Sequence, residues 1–390
     1  MEFSNERQFF YSIEDLPLIK VNDDGEKRTA LIDDVEECAV FLHDPFFLEY
    51  EPYPLYIPNS QTVWNLKDHV APAESIVVLR DFILRRADFA IFSRARGKIF
   101  LSSIGAHRAV DDPVGSRVYG TYYQGIYRRL DTAKIPVIIA NDGFHNFWHW
   151  HAQTMQGVER IRELGLQNRC VYVTPELNQW QLQCLLALGL ERGDILEISE
   201  DVVIDRALYP SIVDPRAFLN LSPRYGELFK TVQRNLAIPR KATYTKDRLK
   251  LLYVSRRDAP HRTMKHEREL ILILKKFGFE EIIPSKMTYS EQVEAFSSAD
   301  VVVGIHGAGL TNIGFCPNTA LVIEIFDHQY MNYVYYKLAR LVSCRYECIL
   351  TSAHEKIEDK DFWAPDICVI VQDIFRSMSL NGFGSIFEDA

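Results

Sequence analysis

The chain has 390 residues, 47% of them hydrophobic and 25% charged, a composition that excludes wholesale disorder and suits two or three packed domains. Its 44 basic and 53 acidic residues give a formal charge of -9, which disfavours nonspecific nucleic-acid binding, and no basic block suggests an electrostatic membrane anchor. The start, MEFSNERQFFYS, lacks a basic segment followed by an apolar one, and no stretch of about 18 apolar residues occurs, so we expect no secretion signal, no membrane span and a cytoplasmic location. The seven cysteines contain no Cys-x-x-Cys pair and read as reduced, mostly buried thiols, with no structural zinc.

In chain order, residues 1–70 read as an irregular cover of short strands and loops, with turns at Asp23-Asp24-Gly25 and Asp33-Asp34. From residue 75, SIVVLRD, FAIFSRA and KIFLSS are β-rich runs separated by polar breaks. IPVIIAND is an apolar strand running into the turn Asn141-Asp142-Gly143. A helix follows, because Phe147, Trp150, Met155, Val158, Ile161 and Leu164 recur at roughly helical spacing. RCVYVTP, NQWQLQCLLALGL and DILEIS continue as strand, helix and strand, an alternation that predicts a parallel sheet. The helix YGELFKTVQRNLA then gives way to the polar stretch IPRKATYTKDR. These signals divide the chain into a first domain at 1–235, a linker at 236–249 and a second domain at 250–390. In the second domain LKLLYVSR, FEEIIP, DVVVGI, ALVIEIF and CRYECIL are strands separated by helical patterns, with a last helix at 366–380. That is the pattern of a doubly wound α/β domain.

The most informative stretch is DVVVGIHGAGLTN, residues 300–312. A buried strand ends, His306-Gly307-Ala308-Gly309 turns, and Leu310-Thr311-Asn312 opens a helix. Glycines there admit close approach of a ligand, and the helix start with its free N–H groups suits a diphosphate. His306 stands where it could donate to a phosphate oxygen or orient the ligand. The place is the carboxyl end of a parallel strand, where α/β sheets bind ligands.

HGAGLTN, followed by Phe315-Cys316-Pro317, resembles the signature of glycosyltransferase family 61. So do the run YVSRR at 253–257 with Arg262 behind it, the order of elements through 278–307, and ALVIEIF with its Glu324. In the first half the resemblance is confined to NFWHW at 146–150. One departure is His266 standing before Glu267, where the family often has Asn. The resemblance implies a GT-B-like α/β architecture of two Rossmann-like domains facing a cleft. It also implies inverting transfer from a nucleotide-sugar held by the second domain, with no metal or other cofactor required.

Under that implication Arg257 and Arg262 are candidates to grip the donor diphosphate, since a guanidinium binds it through two bonds and stays charged. Strand alternation does not settle which of Arg256 and Arg257 turns toward a ligand, and Arg256 is the one expected to pack. Glu324, a carboxylate in an apolar strand, suits the ribose hydroxyls. Inversion needs a base for the acceptor hydroxyl. NDGFHNFWHWHAQ follows a strand end and offers His149 first, because the resemblance falls on it, and Asp142 second, with His145 and Trp148 as acceptor-side candidates. A metal cluster of His145, His149 and His151 and the formal Asp-x-Asp at 359–361 are set aside, the first for lack of an acidic partner, the second as a solvated charged run. The partners expected are a nucleotide-sugar and a glycan or glycoconjugate of capsule or lipopolysaccharide type, with peripheral membrane association through a lipid-linked acceptor. A sugar-nucleotide epimerase and a non-catalytic sugar-nucleotide or glycan-binding protein are the alternatives.

Overall fold

The computed structural model describes residues 74–100, 125–211, 221–241, 249–260, 263–327, 332–351 and 362–384, together with Ser103 and scattered residues between 10 and 71. Arg262, the Asp-x-Asp at 359–361 and the acidic turns at 23–24 and 33–34 lie outside the described residues.

The first unit is built on an 11-stranded sheet. Its main strands are β1 (Cys38–His43), β2 (Glu74–Leu84), β3 (Ile91–Ser93), β4 (Lys98–Phe100), β5 (Ile135–Ile138), β6 (Cys170–Pro175), β7 (Ile195–Ile198) and β8 (Val202–Ser211). The spatial order is β4-β3-β2-β8-β5-β6-β7, with β1 also on β2. Strands β5, β6 and β7 are parallel, as the alternation of elements predicts. Strand β8, which the sequence reading passes over, lies at the centre of the order. It pairs in parallel with β5 but antiparallel with β2, from Val202↔Leu84 to Ser211↔Ser75. The sheet is therefore mixed, and the expectation of a Rossmann-like first domain is corrected: only its β5–β7 edge has that character. VVIDRALYPS carries Asp205, Arg206 and a proline, which break the apolar run, and central pairing to β2 overrides that weak local signal.

Helix α1 (Gln156–Glu163) is entered through a single α-turn, Phe147–His149, and a π-helical segment, Trp150–Met155. Asn146 caps the start, its side chain accepting from the N–H groups of Trp148 at 2.9 Å and His149 at 3.4 Å. Helix α2 (Gln179–Ala187) begins with a reciprocal capping box between Asn178 and Gln181. Helix α3 (Tyr225–Asn235) contains the boundary of the two compact units, which falls between Leu228 and Phe229.

The second unit contains five parallel strands, β9 (Leu251–Val254), β10 (Phe279–Ile282), β11 (Val301–Ile305), β12 (Leu321–Asp327) and β13 (Arg345–Thr351), ordered β10-β9-β11-β12-β13. Helices α4 (Glu267–Lys276), α5 (Tyr289–Ser297), α6 (Val334–Leu341) and α7 (Ile367–Met378) connect or flank them. The runs LLYV, VVVGI and LVIEIF are buried almost without interruption, as strands covered on both faces must be. Leu270 and Leu274 of α4 with Ile370 and Ile374 of α7 close one face of the core. This is a doubly wound sheet in the order 2-1-3-4-5, and its switch point lies between β9 and β11, at their carboxyl ends.

Candidate functional site

At that switch point the chain leaves β11 into His306 and Gly307. His306 is buried, with 6% of its surface exposed. Its N–H continues the ladder to Ile325 O at 2.9 Å. Its ring stacks on Phe326 of β12, centroids 5.2 Å apart at 22°, and meets Tyr335 of α6 at 5.3 Å. Its Nδ1 is 2.5 Å from Oε1 of Glu324, and the Tyr346 hydroxyl donates to Oε2 of the same carboxylate at 2.5 Å. Glu324 is fully buried with both oxygens engaged. This corrects the expected ribose contact: Glu324 holds His306.

The proton positions in this network follow from one another. The N–H of Val334 donates to Oδ1 of Asn332 at 3.0 Å, which turns the amide nitrogen toward Nε2 of His306 at 3.3 Å. An amide nitrogen only donates, so Nε2 accepts. In the neutral ring Nδ1 then carries the proton, and Glu324 accepts it.

Gly307 has an extended backbone, φ 171 and ψ 167, which any residue can adopt, so backbone freedom is not what requires glycine. Space is. A Cβ at Gly307 would stand 1.6 Å from a terminal nitrogen of Arg256. The guanidinium of Arg256 therefore lies across the turn. Arg256 follows β9, and its backbone N–H donates to Oε1 of Glu267 at 2.8 Å, an oxygen that also accepts from the Tyr253 hydroxyl at 3.1 Å. Glu267 is buried at the start of α4, and burial raises its pKa against the opposing pull of those bonds.

Arg257 points elsewhere. Its Nε donates to Glu281 at 3.0 Å, and Lys275 reaches the other oxygen of that carboxylate at 2.9 Å. Burial alone would raise the Glu281 pKa, but the bonds from Lys275 and Arg257 outweigh it and lower it. The expectation that Arg257 faces the turn and Arg256 packs is thus reversed. Ser255, Arg256 and Arg257 leave a strand end where two-residue alternation no longer applies, so sequence could not rank them.

Ala308–Phe315 is a 3-10 helix, tighter than the α-helix expected. Gly309 admits Pro284 and Val254, each 3.3 Å from a Cβ placed there, and Leu310 is fully buried against Gly304. The amide of Asn312, also fully buried, donates to Gln292 at 2.8 Å and to Gly309 O at 3.1 Å. Leu310 and Asn312 therefore build the turn from beneath and are corrected as ligand contacts. Ala308 is half-buried at its surface.

In the first unit, the turn after β5 is held by Asn141, whose Oδ1 accepts from Gly143 N at 3.0 Å. The His149 ring lies on Gly143, where a Cβ would come within 2.9 Å of its Cγ. Nδ1 of His149 is 3.1 Å from Oε1 of Gln153. Asp142 is half-buried beside this turn, and its N–H donates to Ser103 O at 3.2 Å. The structure thus brings His149 onto the glycine next to Asp142. His145 is exposed against Phe144. Trp148 is 5% exposed and packs edge-on to Tyr225 at 5.7 Å, so it serves the core and not an acceptor surface. His151 is fully buried, its Nδ1 on Phe147 O at 2.9 Å. The π-helical segment was not legible in sequence, and such segments recur at functional sites. Among the described residues no three His, Cys, Asp or Glu side chains form a metal-holding group, and no helix is long and apolar enough to cross a membrane.

The sequence profile of glycosyltransferase 61 matches residues 147–323, from the first turn after Asn146 through the glycine turn into β12. Across that stretch the chain is similar to glycosyltransferase family 61. Sugar transfer is the activity that the name of this family describes. The chain is also similar to two proteins described as EGF domain-specific O-linked N-acetylglucosamine transferase. The one from Drosophila melanogaster is 31% identical over 118 residues, 30% of this chain and 22% of that protein. The one from Gallus gallus is 30% identical over 95 residues, 23% of this chain and 18% of that protein. The chain thus matches about a fifth of each relative's length.

Proposed function

We propose that this chain transfers a sugar from a nucleotide-sugar to a hydroxyl of a glycan or glycoconjugate, with inversion. The observation that carries the reading is the switch-point turn of the second unit. A glycine that only a guanidinium's proximity explains, a carboxylate-held histidine and the carboxyl ends of β9 and β11 meet there. Such a place suits the donor's diphosphate, whose departing charge a fixed guanidinium offsets without reorganisation. Acceptor and base belong in this reading to the first unit. His149 is the first candidate base: if the Gln153 amide oxygen accepts from Nδ1, Nε2 keeps the lone pair for the acceptor's proton. Asp142 is the second.

Both similar proteins are animal proteins whose descriptions name a protein domain as acceptor. They lend no support to the capsule or lipopolysaccharide acceptor expected from the sequence, and that acceptor, like a cytoplasmic location, stands as one arm of the test. The test is a thermal-shift screen of UDP-, GDP-, CMP- and dTDP-sugars, followed by transfer assays with a folded EGF-like domain and with a lipid-linked oligosaccharide. Ligand at 100 times its Kd adds about 2.7 kcal/mol of stability, so one nucleotide class should raise the melting temperature. Product from that donor with inverted anomeric configuration by NMR completes the expectation. Sugar conversion without acceptor points to an epimerase, binding without turnover points to a sugar-nucleotide binder, and no stabilisation by any nucleotide removes the donor-site reading.

A further inference from the structure

Trp148, expected on the acceptor side, is buried, but two other aromatic rings beside the turn after β5 are only half-buried, Phe147 and Trp180. We infer that Phe147 and Trp180 form a platform on which a pyranose ring of the acceptor stacks, so that the acceptor is a glycan. The inference rests on the transferase reading above and narrows its acceptor.

The platform comes from two loops that the parallel sheet brings together. Phe147 opens the helical turn after β5, and Trp180 is the second residue of α2, after β6. Strands β5 and β6 are parallel neighbours, from Ile135↔Cys170 to Ile138↔Val173, so both loops leave at the carboxyl edge, where α/β sheets bind ligands. The Gln181 amide, 1% exposed, donates to Phe144 O at 2.9 Å and ties the start of α2 to the turn that carries Asp142. Phe144 meets Phe89 edge-on at 5.9 Å. Phe89 is fully buried with φ at 58, a conformation that a bulky residue keeps only where the packing around it enforces it. Two buried rings stand behind the platform. Trp150 meets Trp180 edge-on at 5.8 Å, and His151 lies 4.3 Å from Phe147. Phe147 and Trp180 are 5.4 Å apart and tilted at 53°. Each ring is thus backed by the core and keeps part of its surface for a ligand.

A pyranose has a face of C–H groups, whose partial positive charge pairs with the negative face of an aromatic ring, and a rim of hydroxyls. The surroundings here match both. His145, Asn178 and Gln179 are exposed beside the rings. Asn178 commits its side-chain oxygen to the N–H of Gln181 at 3.1 Å, and its amide nitrogen remains to donate to a hydroxyl. Polypeptides commonly bind by adding a strand to a sheet edge, and β5 and β6 are inner strands with no edge to offer.

The test is saturation-transfer NMR of methyl glycosides of glucose, galactose, mannose, xylose and N-acetylglucosamine on the full chain, with melting temperatures to verify folding of the variants. In the wild type at least one glycoside should bind, with saturation concentrated on the C–H protons of one sugar face. Trp180→Leu keeps apolar bulk without the π face and should weaken that glycoside at least fivefold. Trp180→Phe restores a ring and should recover most of the affinity. Phe147→Leu should weaken binding as well, and it decides if Trp180→Leu fails to fold. Leu186→Ala, exposed on the same helix and outside the platform, should bind as the wild type does. In transfer assays Trp180→Leu should raise the acceptor KM and leave stabilisation by the nucleotide-sugar unchanged, a split that damage to the fold alone does not produce. Wild-type affinity in Trp180→Leu, or no glycoside bound by a wild type that a nucleotide-sugar stabilises, overturns the inference and leaves the transferase reading intact. Transfer to a folded EGF-like domain that falls in Trp180→Leu while no glycoside binds assigns the rings to a polypeptide, which also overturns it. A wild type stabilised by no nucleotide-sugar overturns the transferase reading, and glycoside binding that still depends on Trp180 then keeps the platform as a sugar site without transfer.

Discussion

His151 shows what burial does to a single titratable side chain. Fully enclosed, with Nδ1 on Phe147 O, it has its pKa lowered to about 4 by burial, the bond to the carbonyl opposing only in part. The folded state therefore binds this proton less readily than the unfolded chain, whose histidine titrates near 6.5. Stability from this group is complete above pH 6.5 and is lost as pH falls through about 4. The loss is on the order of 3 kcal/mol, from the shift at 1.36 kcal/mol per unit. Denaturant midpoints of wild type and His151→Gln between those limits check it. The substitution should flatten the acid decline, and an unchanged slope would assign the decline to other groups. The same residue type has a different task at each neighbouring position. His145 is exposed, His149 lies on Gly143, and His306 has a buried carboxylate behind it.

Among elements, the 3-10 helix after His306 depends on how closely its neighbours approach. Gly314 faces the ring of Phe229, where a Cβ would come within 2.2 Å of the ring edge. That ring is fully buried and meets Phe315 edge-on at 4.9 Å. The carbonyls beside it are also engaged, Gly314 O by Arg240 at 2.7 Å and Phe315 O by Gln233 at 3.0 Å. The helix cannot retreat cheaply from an added methyl group. Gly314→Ala should cost roughly 1–3 kcal/mol, as overpacking of a filled core does. Thermal unfolding measures the loss, and adding Phe229→Leu should recover part of it. If Gly314→Ala alone melts with the wild type, the approach of Phe229 is looser than described.

For the whole molecule, the chain has two compact units, each with its own sheet. Such chains commonly depart from two-state unfolding. Among the described residues the tryptophans are unevenly placed: Trp148, Trp150 and Trp180 belong to the first unit and Trp363 to the second. Indole fluorescence should therefore report mainly the first unit, and far-ultraviolet circular dichroism both. In guanidinium chloride the two signals should give non-coincident transitions. Superimposable curves would show that the units unfold as one.

Local chemistry made much of the second unit legible. Five apolar runs long enough only for strands, punctuated by helical patterns, specify a parallel sheet wherever they fold, and HGAGLTN identified the turn at its switch point. The strands β5, β6 and β7 were readable for the same reason. Strand β8 was not, because its polar residues hide a central position that only pairing with β2 reveals. At the site, sequence could name the basic pair, the histidine and the glutamate, but not their directions. Whether Arg256 or Arg257 meets Gly307, whether Glu324 meets a ligand or His306, and whether Trp148 faces solvent or Tyr225 depend on what lies across the fold from each. Those partners are distant in sequence, so composition and spacing along one chain determine which groups are available. Packing decides which of them face a ligand.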